Sequence, residues 1–571
     1  MNTRAMRASH SAPVGVLCIL FAVAASCSPA AEKPSGAPDD PSGAPQTPDS
    51  PSQLEPDDPA DQPEDGEEPS ILSVEGWLES VAVTWAPHPN ATAYNVYYKG
   101  GAAADYTQID APLVRNYGGY YRADIPGVAA GAYTIKVAPV VDGKEGEGAV
   151  RTATAAAHDR SGYAFYGGKT PGGYTMDGTP KANARIIYVT DQNKDSVTLG
   201  VNVEGKGDET LTGIYPIING HRKGNETRPL VIRLIGQIHI PASTDKGDIV
   251  FDTKNAADAY ITLEGVGNDA TADGWGARLK NASNIEISNI GFMNTASEEG
   301  DDVGLQQKNY YIWVHNCDLF YGQAGSDADQ AKGDGAMDAK GSTYVTFSYN
   351  HFWDTGKTHL IGNKETGPDG TPGLLTLHHN WYDHSDSRHP RARVHTAHVY
   401  NNYYDGVSKY GIGATYGCSV FAEGNYFRNA KYPMLISMQG SDTGTFSSED
   451  GGIIKAYNNY MSGQASFVAY GSANTTQFDA YVAATRSEII PAAVKTLKGA
   501  HAYNNFDTAG DFYAYTPDEP QAAKDKVMQY AGRMGGGDFK WTFTGADDSS
   551  YSVDAGLQAA LTSYQTALVG Q

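Results

Sequence analysis

The sequence predicts an all-β protein, a right-handed parallel β-helix preceded by a small β-sandwich. Three observations carry that prediction. Sixty-five glycines and thirty-seven tyrosines suit strands and turns better than helices. A unit of short apolar strand, asparagine and aromatic residues recurs through the second half of the chain. The 571 residues also exceed what one hydrophobic core organises, as a repeat architecture with an added domain would allow.

At the N-terminus, Arg4 and Arg7 precede an apolar run, Pro13–Ala25, that is too short to cross a bilayer and ends in small residues. That pattern predicts an export signal over residues 1–26. Ala24-Ala25-Ser26-Cys27 resembles a bacterial lipobox. The resemblance implies lipidation of Cys27, a membrane as partner through an N-terminal lipid anchor, and an outer-membrane or cell-surface location. Plain signal cleavage with secretion is the alternative.

Residues 28–69 are mostly Pro, Asp, Glu, Ser and Gly, with little to bury, so a disordered, extended tether is expected. Between Glu32 and Glu68 twelve acids face one lysine, so nearly half of the formal charge of 42 − 66 = −24 sits there. A charge of that sign argues against nucleic acid as a partner.

Residues 70–158 contain short alternating runs, among them Val81–Trp85, Ala93–Tyr98, Tyr120–Ile125 and Tyr133–Val141. Their spacing fits a β-sandwich. Trp85 and Gly131-Ala-Tyr133 resemble the fibronectin type III pattern, and these aromatics are expected in the core. The domain is read as a spacer or accessory module.

From residue 161 to 571 the repeat takes over. It reads Val345-Thr-Phe-Ser-Tyr-Asn350-His-Phe352, Leu375-Thr-Leu-His-His-Asn380-Trp-Tyr382, Val399-Tyr-Asn-Asn402-Tyr-Tyr404 and Phe421-Ala-Glu-Gly-Asn425-Tyr-Phe427, then Asn459 and Asn505. Looser copies end at Asn289 and Asn316. In a parallel β-helix each coil stacks inward apolar side chains on the next, and asparagines at the tight bends bond to the backbone and to one another. Pro520–Ala531 reads as a helix that caps the solenoid. Cys317 and Cys418 are either a disulfide or two buried thiols.

The residues that carry chemistry cluster between Asp334 and Tyr404. Asp334 and Asp338 are carboxylates in a strand-and-loop context, natural ligands for a hard cation such as calcium. Lys357 and the run Arg388-His-Pro-Arg-Ala-Arg393 are natural partners for an anionic substrate.

In these motifs, in Gly300-Asp-Asp-Val303, and in the earlier Val231–Gly236 and Ile261–Gly267 runs, the region from about Gly162 onward resembles the β-helical pectate lyases of polysaccharide lyase family 1. The resemblance implies a monomeric enzyme that cleaves (1→4)-α-D-galacturonan, the polygalacturonate of pectin, by β-elimination. It implies Ca2+ as cofactor, held by Asp301, Asp334 and Asp338, with Lys357 and Arg393 as substrate-binding residues and Arg388 as the catalytic base. For the first ligand, strand alternation with Val303 and Leu305 favours Asp301 and spacing from Ile312 favours Asp302; Asp301 is chosen. Where the family often has Trp-x-Asp-His, this chain has Trp313-Val-His-Asn316.

Elimination must remove the C5 proton beside a carboxylate whose charge resists carbanion formation. A cation on that carboxylate eases the step as a Lewis acid. An arginine is charged at ordinary pH, so for Arg388 to accept a proton neighbouring cations must disfavour its charged form, and an alkaline optimum is expected.

Other readings remain. A β-helical polygalacturonase would hydrolyse with paired aspartates and leave the arginine run unexplained. A pectin lyase on methyl-esterified chains would need no calcium. A glycan-binding surface lipoprotein would have no turnover.

Overall fold

Three parallel sheets wind together from Arg185 to Val482 to form a parallel β-helix, with eleven, nine and eight strands. The computed structural model describes residues 68–101, 103–253, 259–326, 330–362, 367 and 370–570. The expected export signal, Cys27 and nearly all of the tether lie outside them. No helix among the described residues is long and apolar enough to cross a membrane.

One coil illustrates the winding. Ser283–Ser288 belongs to the eleven-stranded sheet, Gly291–Met293 to the nine-stranded and Val303–Gln307 to the eight-stranded; Tyr310–His315 then lies in register on Ser283–Ser288. Alternation within the short strands sorts the side chains. After Asn350, Asn380, Asn402 and Asn425 the first aromatic ring points out and the second points in. Phe352, Tyr382, Tyr404 and Phe427 are fully buried and stack through the interior, whereas Trp381, Tyr403 and Tyr426 line the outside beneath Val527 and Ala531.

The asparagine ladder runs through Asn350, Asn380, Asn402, Asn425 and Asn459, each Nδ2 donating to the next Oδ1 at 2.9–3.1 Å. Asn289 and Asn316 are not in it. They occupy the left-handed bend one position earlier, at φ 57° and 51°, the place that Tyr349, His379 and Asn401 hold in later coils. The ladder position in the Asn316 coil is Cys317, whose N–H donates to Asn350 Oδ1 at 3.1 Å. Asn505 immediately precedes a short 3-10 turn, Phe506–Thr508, and donates to the Ile490 carbonyl. Cys317 and Cys418 are free and buried, and burial pushes both thiols up to about 12, so they fill the interior as inert groups.

Before the β-helix, Ile71–Ala155 folds into two antiparallel sheets of four and five strands, with Trp85 wholly buried against Tyr94 and Tyr121. This sandwich is docked firmly on the β-helix. Arg115, fully buried, pairs with Asp124 of its own sheet and donates to the Val266 carbonyl of the β-helix at 3.0 Å, with Asp269 at 3.5 Å. Arg160, after the linker, forms a two-pronged pair with Glu79.

The C-terminal segment begins with the helix Pro520–Tyr530, where sequence placed it. It then runs back over earlier coils. Arg533 Nε donates to Asp318 at 2.7 Å, Tyr564 to Asp538 at 2.7 Å and Thr566 to Asp269 at 2.7 Å. Gly570 pairs with Asn116 of the sandwich.

Candidate active site

Four consecutive strands of the eight-stranded sheet carry the site: Val303–Gln307, Met337–Ala339, Leu360–Ile361 and Arg391–Arg393. Each sequence-predicted residue lies on one of them or in the few residues before it. Single bridges extend the ladder from Gly335 to Lys357 and from Lys357 to Ser387, so Lys357 lies between the Asp334 loop and the Arg388 loop.

Asp301 and Asp338 meet at Gly335. Asp301 Oδ1 accepts the Gly335 N–H at 3.0 Å and Asp338 Oδ1 accepts the Leu360 N–H at 2.8 Å. A Cβ at position 335 would fall 2.7 Å from both carboxylates, so only glycine lets them approach this closely. Asp302 turns the other way and accepts from Thr295 Oγ1 at 2.6 Å. Asp334, half-buried, leans on Lys357, whose Nζ is 3.2 Å from Oδ1.

Burial, and then the charge of Asp338, push the Asp301 carboxyl well above the usual range. Burial likewise raises Asp338. Lys340, two residues beyond Asp338 on the same face of the strand, places its ammonium 3.7 Å from Asp338 and 3.9 Å from Asp301. Two ammoniums, Lys340 and Lys357, offset only part of the charge of three aspartates. The hard oxygen donors of Asp301 and Asp338, brought together at Gly335, with Asp334 one residue before that glycine, fit a calcium ion.

The arginine run divides. Arg391 Nη2 lies 2.8 Å from Glu449 Oε1, and Arg393 is joined to the same carboxylate, with Nε 3.2 Å from Oε2. Burial opposes ionisation of Glu449, but hydrogen bonds from Arg393 and Arg391 hold it below its ordinary value. Among the described residues Arg388 is the arginine of the run with no carboxylate within ion-pair distance. Its backbone is left-handed at φ 68°, a conformation costing roughly 1–2 kcal/mol for a residue with a Cβ, and it is half-buried. The His389–Pro390 peptide is cis.

A buried network behind the site joins its loops. Lys332 Nζ donates to Asp386 at 2.9 Å and to Asp354, and Asp354 also accepts from Tyr321. Lys332 thus ties the segment before Asp334 to the segment before Arg388.

Lys340, Glu449 and Lys332 were not singled out from sequence. Lys340 could have been, because Asp338 and Lys340 are two apart on a strand. Glu449 is 56 residues from Arg393, and no local pattern points to it.

A family model described as "Pectate lyase" matches residues 217–535. A pectate trisaccharide-lyase of Bacillus licheniformis is 30% identical over 248 residues, covering 43% of this chain and 70% of that protein. Pectate lyase 3 of Pectobacterium atrosepticum is 26% identical over 388 residues, covering 66% of this chain and 91% of that protein. Among solved structures, a pectate lyase of Bacillus sp. N165 in complex with trigalacturonate is 22% identical with a TM-score of 0.45, covering 66% of this chain and 99% of that one.

Proposed function

The chain belongs to the pectate lyase family and is a polysaccharide lyase, and from that premise we propose that it cleaves polygalacturonate by calcium-dependent β-elimination with Arg388 as base. The observation that carries the proposal is the division of the arginine run: Arg391 and Arg393 share Glu449, while Arg388 beside them has no acid partner among the described residues.

In this reading Asp301, Asp334 and Asp338 hold calcium. When bound, the ion supplies the positive charge that neutralises a uronate carboxylate and makes its C5 proton more acidic. Lys357 orients a carboxylate of the same polymer from between the two loops, and Arg393, once it exchanges Glu449 for substrate, takes another. Arg388 removes the C5 proton. The C5–H electron pair becomes the C4–C5 double bond, the C4–O bond breaks, and the expelled oxygen leaves to take a proton. The products are 4,5-unsaturated oligogalacturonides, which absorb in the ultraviolet.

The test is an ultraviolet assay on polygalacturonate and on methyl-esterified pectin, with calcium and with chelator. Absorbance that grows on polygalacturonate only with calcium is expected. Cleavage without absorbance would mean hydrolysis, and activity that survives chelation on esterified pectin would mean a pectin lyase.

The same proposal extends to the remainder of the chain. The two-sheet module is a fibronectin type III-like accessory domain, supported by its buried Trp85. Export, with Cys27 lipidated and residues 28–69 as a spacer from the membrane, rests on the lipobox-like sequence and the acidic, proline-rich composition.

A further inference from the structure

Away from the aspartates, on the eleven-stranded sheet, Asp159, His378 and His379 each offer a ligand atom within 4.8 Å of the others. His378 ends the strand Leu374–His378, and His379 occupies the left-handed bend after it at φ 52°. Asp159 comes from the linker between the sandwich and the β-helix. Both histidines are buried, at 0% and 1% exposure, where histidine rings need partners for two nitrogens.

Counting protons identifies the unsatisfied atom. His379 Nε2 lies 3.0 Å from Asp518 Oδ2, so the carboxylate fixes the proton on Nε2 and leaves Nδ1 as a bare lone pair. That lone pair faces His378 Nδ1 at 2.9 Å, which must then carry a proton. His378 Nε2 is left bare and buried, with the Ser161 backbone near the ring but no well-aligned hydrogen-bond partner among the described residues. A carboxylate behind a histidine, aiming the other ring nitrogen at a shared point, is the usual support of a metal-ligating imidazole.

We propose that Asp159, His378 and His379 bind a zinc-class transition-metal ion, with Asp518 orienting His379. Donors around a tetrahedral zinc at ~2.0–2.2 Å lie roughly 3.4 Å apart, so small ring rotations from the present spacing suffice. On binding, the proton between the two Nδ1 atoms moves to His378 Nε2, and both Nδ1 lone pairs face the ion with the Asp159 carboxylate. Two imidazoles and one carboxylate select zinc, cobalt or nickel over calcium. A cavity of about 630 Å³ lined by Asp159, Asp518, Tyr349 and Lys526, though not by the histidines themselves, opens at the Asp159 ligand and at Asp518 behind His379. The ion would join linker, solenoid wall and C-terminal segment, three parts of the chain distant in sequence.

The full chain, stripped with chelator and then saturated with calcium to fill the aspartate site, is titrated with cobalt(II) and with zinc. One equivalent of cobalt with the intense visible spectrum of tetrahedral nitrogen ligation is expected, displaced by one zinc. Zinc should raise the melting temperature. Asp159→Asn and His379→Gln should each weaken cobalt binding at least tenfold, while Asp159→Asn leaves calcium-dependent lyase activity unchanged. No cobalt spectrum in the calcium-loaded wild-type chain would overturn the proposal, whatever the folding of the variants. Equal binding in folded Asp159→Asn and His379→Gln would also overturn it.

Discussion

Asp301 accepts the backbone N–H of Gly335 at 3.0 Å, and the volume that any side chain at 335 would need is filled by the carboxylates of Asp301 and Asp338. The acidic pair is therefore positioned by a residue with no side chain. Gly335→Ala should push the two carboxylates apart and weaken calcium binding at least tenfold, or ~1.4 kcal/mol, with activity partly restored at high calcium. Calorimetric titration reads this directly, and an unchanged affinity would show that the pair is not the calcium site.

Calcium affinity should also depend on pH. Burial and mutual repulsion raise the Asp301 carboxyl, and burial raises Asp338, so without metal both tend to keep their protons. Binding must displace those protons; affinity should fall as pH is lowered, with proton release on binding. The sign for folding is opposite to that of a paired acid. A raised carboxyl costs the metal-free protein stability as pH rises through its folded value, and calcium should restore that loss. Equal melting temperatures with and without calcium at alkaline pH would contradict this.

Arg388→Ala should lower kcat about 10²- to 10⁴-fold and leave calcium affinity near the wild-type value. A variant retaining a tenth of the activity would remove Arg388 from the chemical step.

Glu449 holds two arginines with side chains only 11% exposed. Glu449→Gln leaves both cations without their carboxylate and should destabilise the fold by on the order of 3 kcal/mol in chemical denaturation. It should also free Arg393 for a polyanion and lower KM for polygalacturonate. An unchanged or higher KM would mean that Arg393 serves the fold alone.

Asn402 stands mid-ladder and fully buried. Its Oδ1 accepts from Asn380 N and Nδ2, and its Nδ2 donates to the Leu377 carbonyl and to Asn425. Asn402→Ala strands several of these groups and should cost about 3 kcal/mol, whereas Asn459→Ala, at the partly solvated end, should cost about 1 kcal/mol. Comparable losses at the two positions would refute a cooperative ladder.

The parts of the molecule that repeat or act locally were legible in the sequence. Asparagine followed by two aromatics identified Asn350, Asn380, Asn402 and Asn425, because one residue of alternation decides inside from outside. The same reading misplaced Asn289 and Asn316 by one position, since an asparagine suits the left-handed bend as well as the ladder. Alternation from Val303 also favoured Asp301 over Asp302, and the structure turns Asp301 toward Asp338. What depends on contact between distant coils was not legible: Glu449 beneath the arginines, Asp518 behind His379, and the docking of the sandwich through Arg115.

The returning C-terminal segment bears on the order in which this protein can be assembled. A solenoid can form coil by coil as the chain appears, because each coil needs only the one before it. Here Asp318, Asp269 and Asn116 wait for Arg533, Thr566 and Gly570, which are synthesised after every coil. The seam between the sandwich and the early coils is thus sealed by residues made only after all the coils, and a nascent chain, or one clipped before this segment, would carry that seam unlatched.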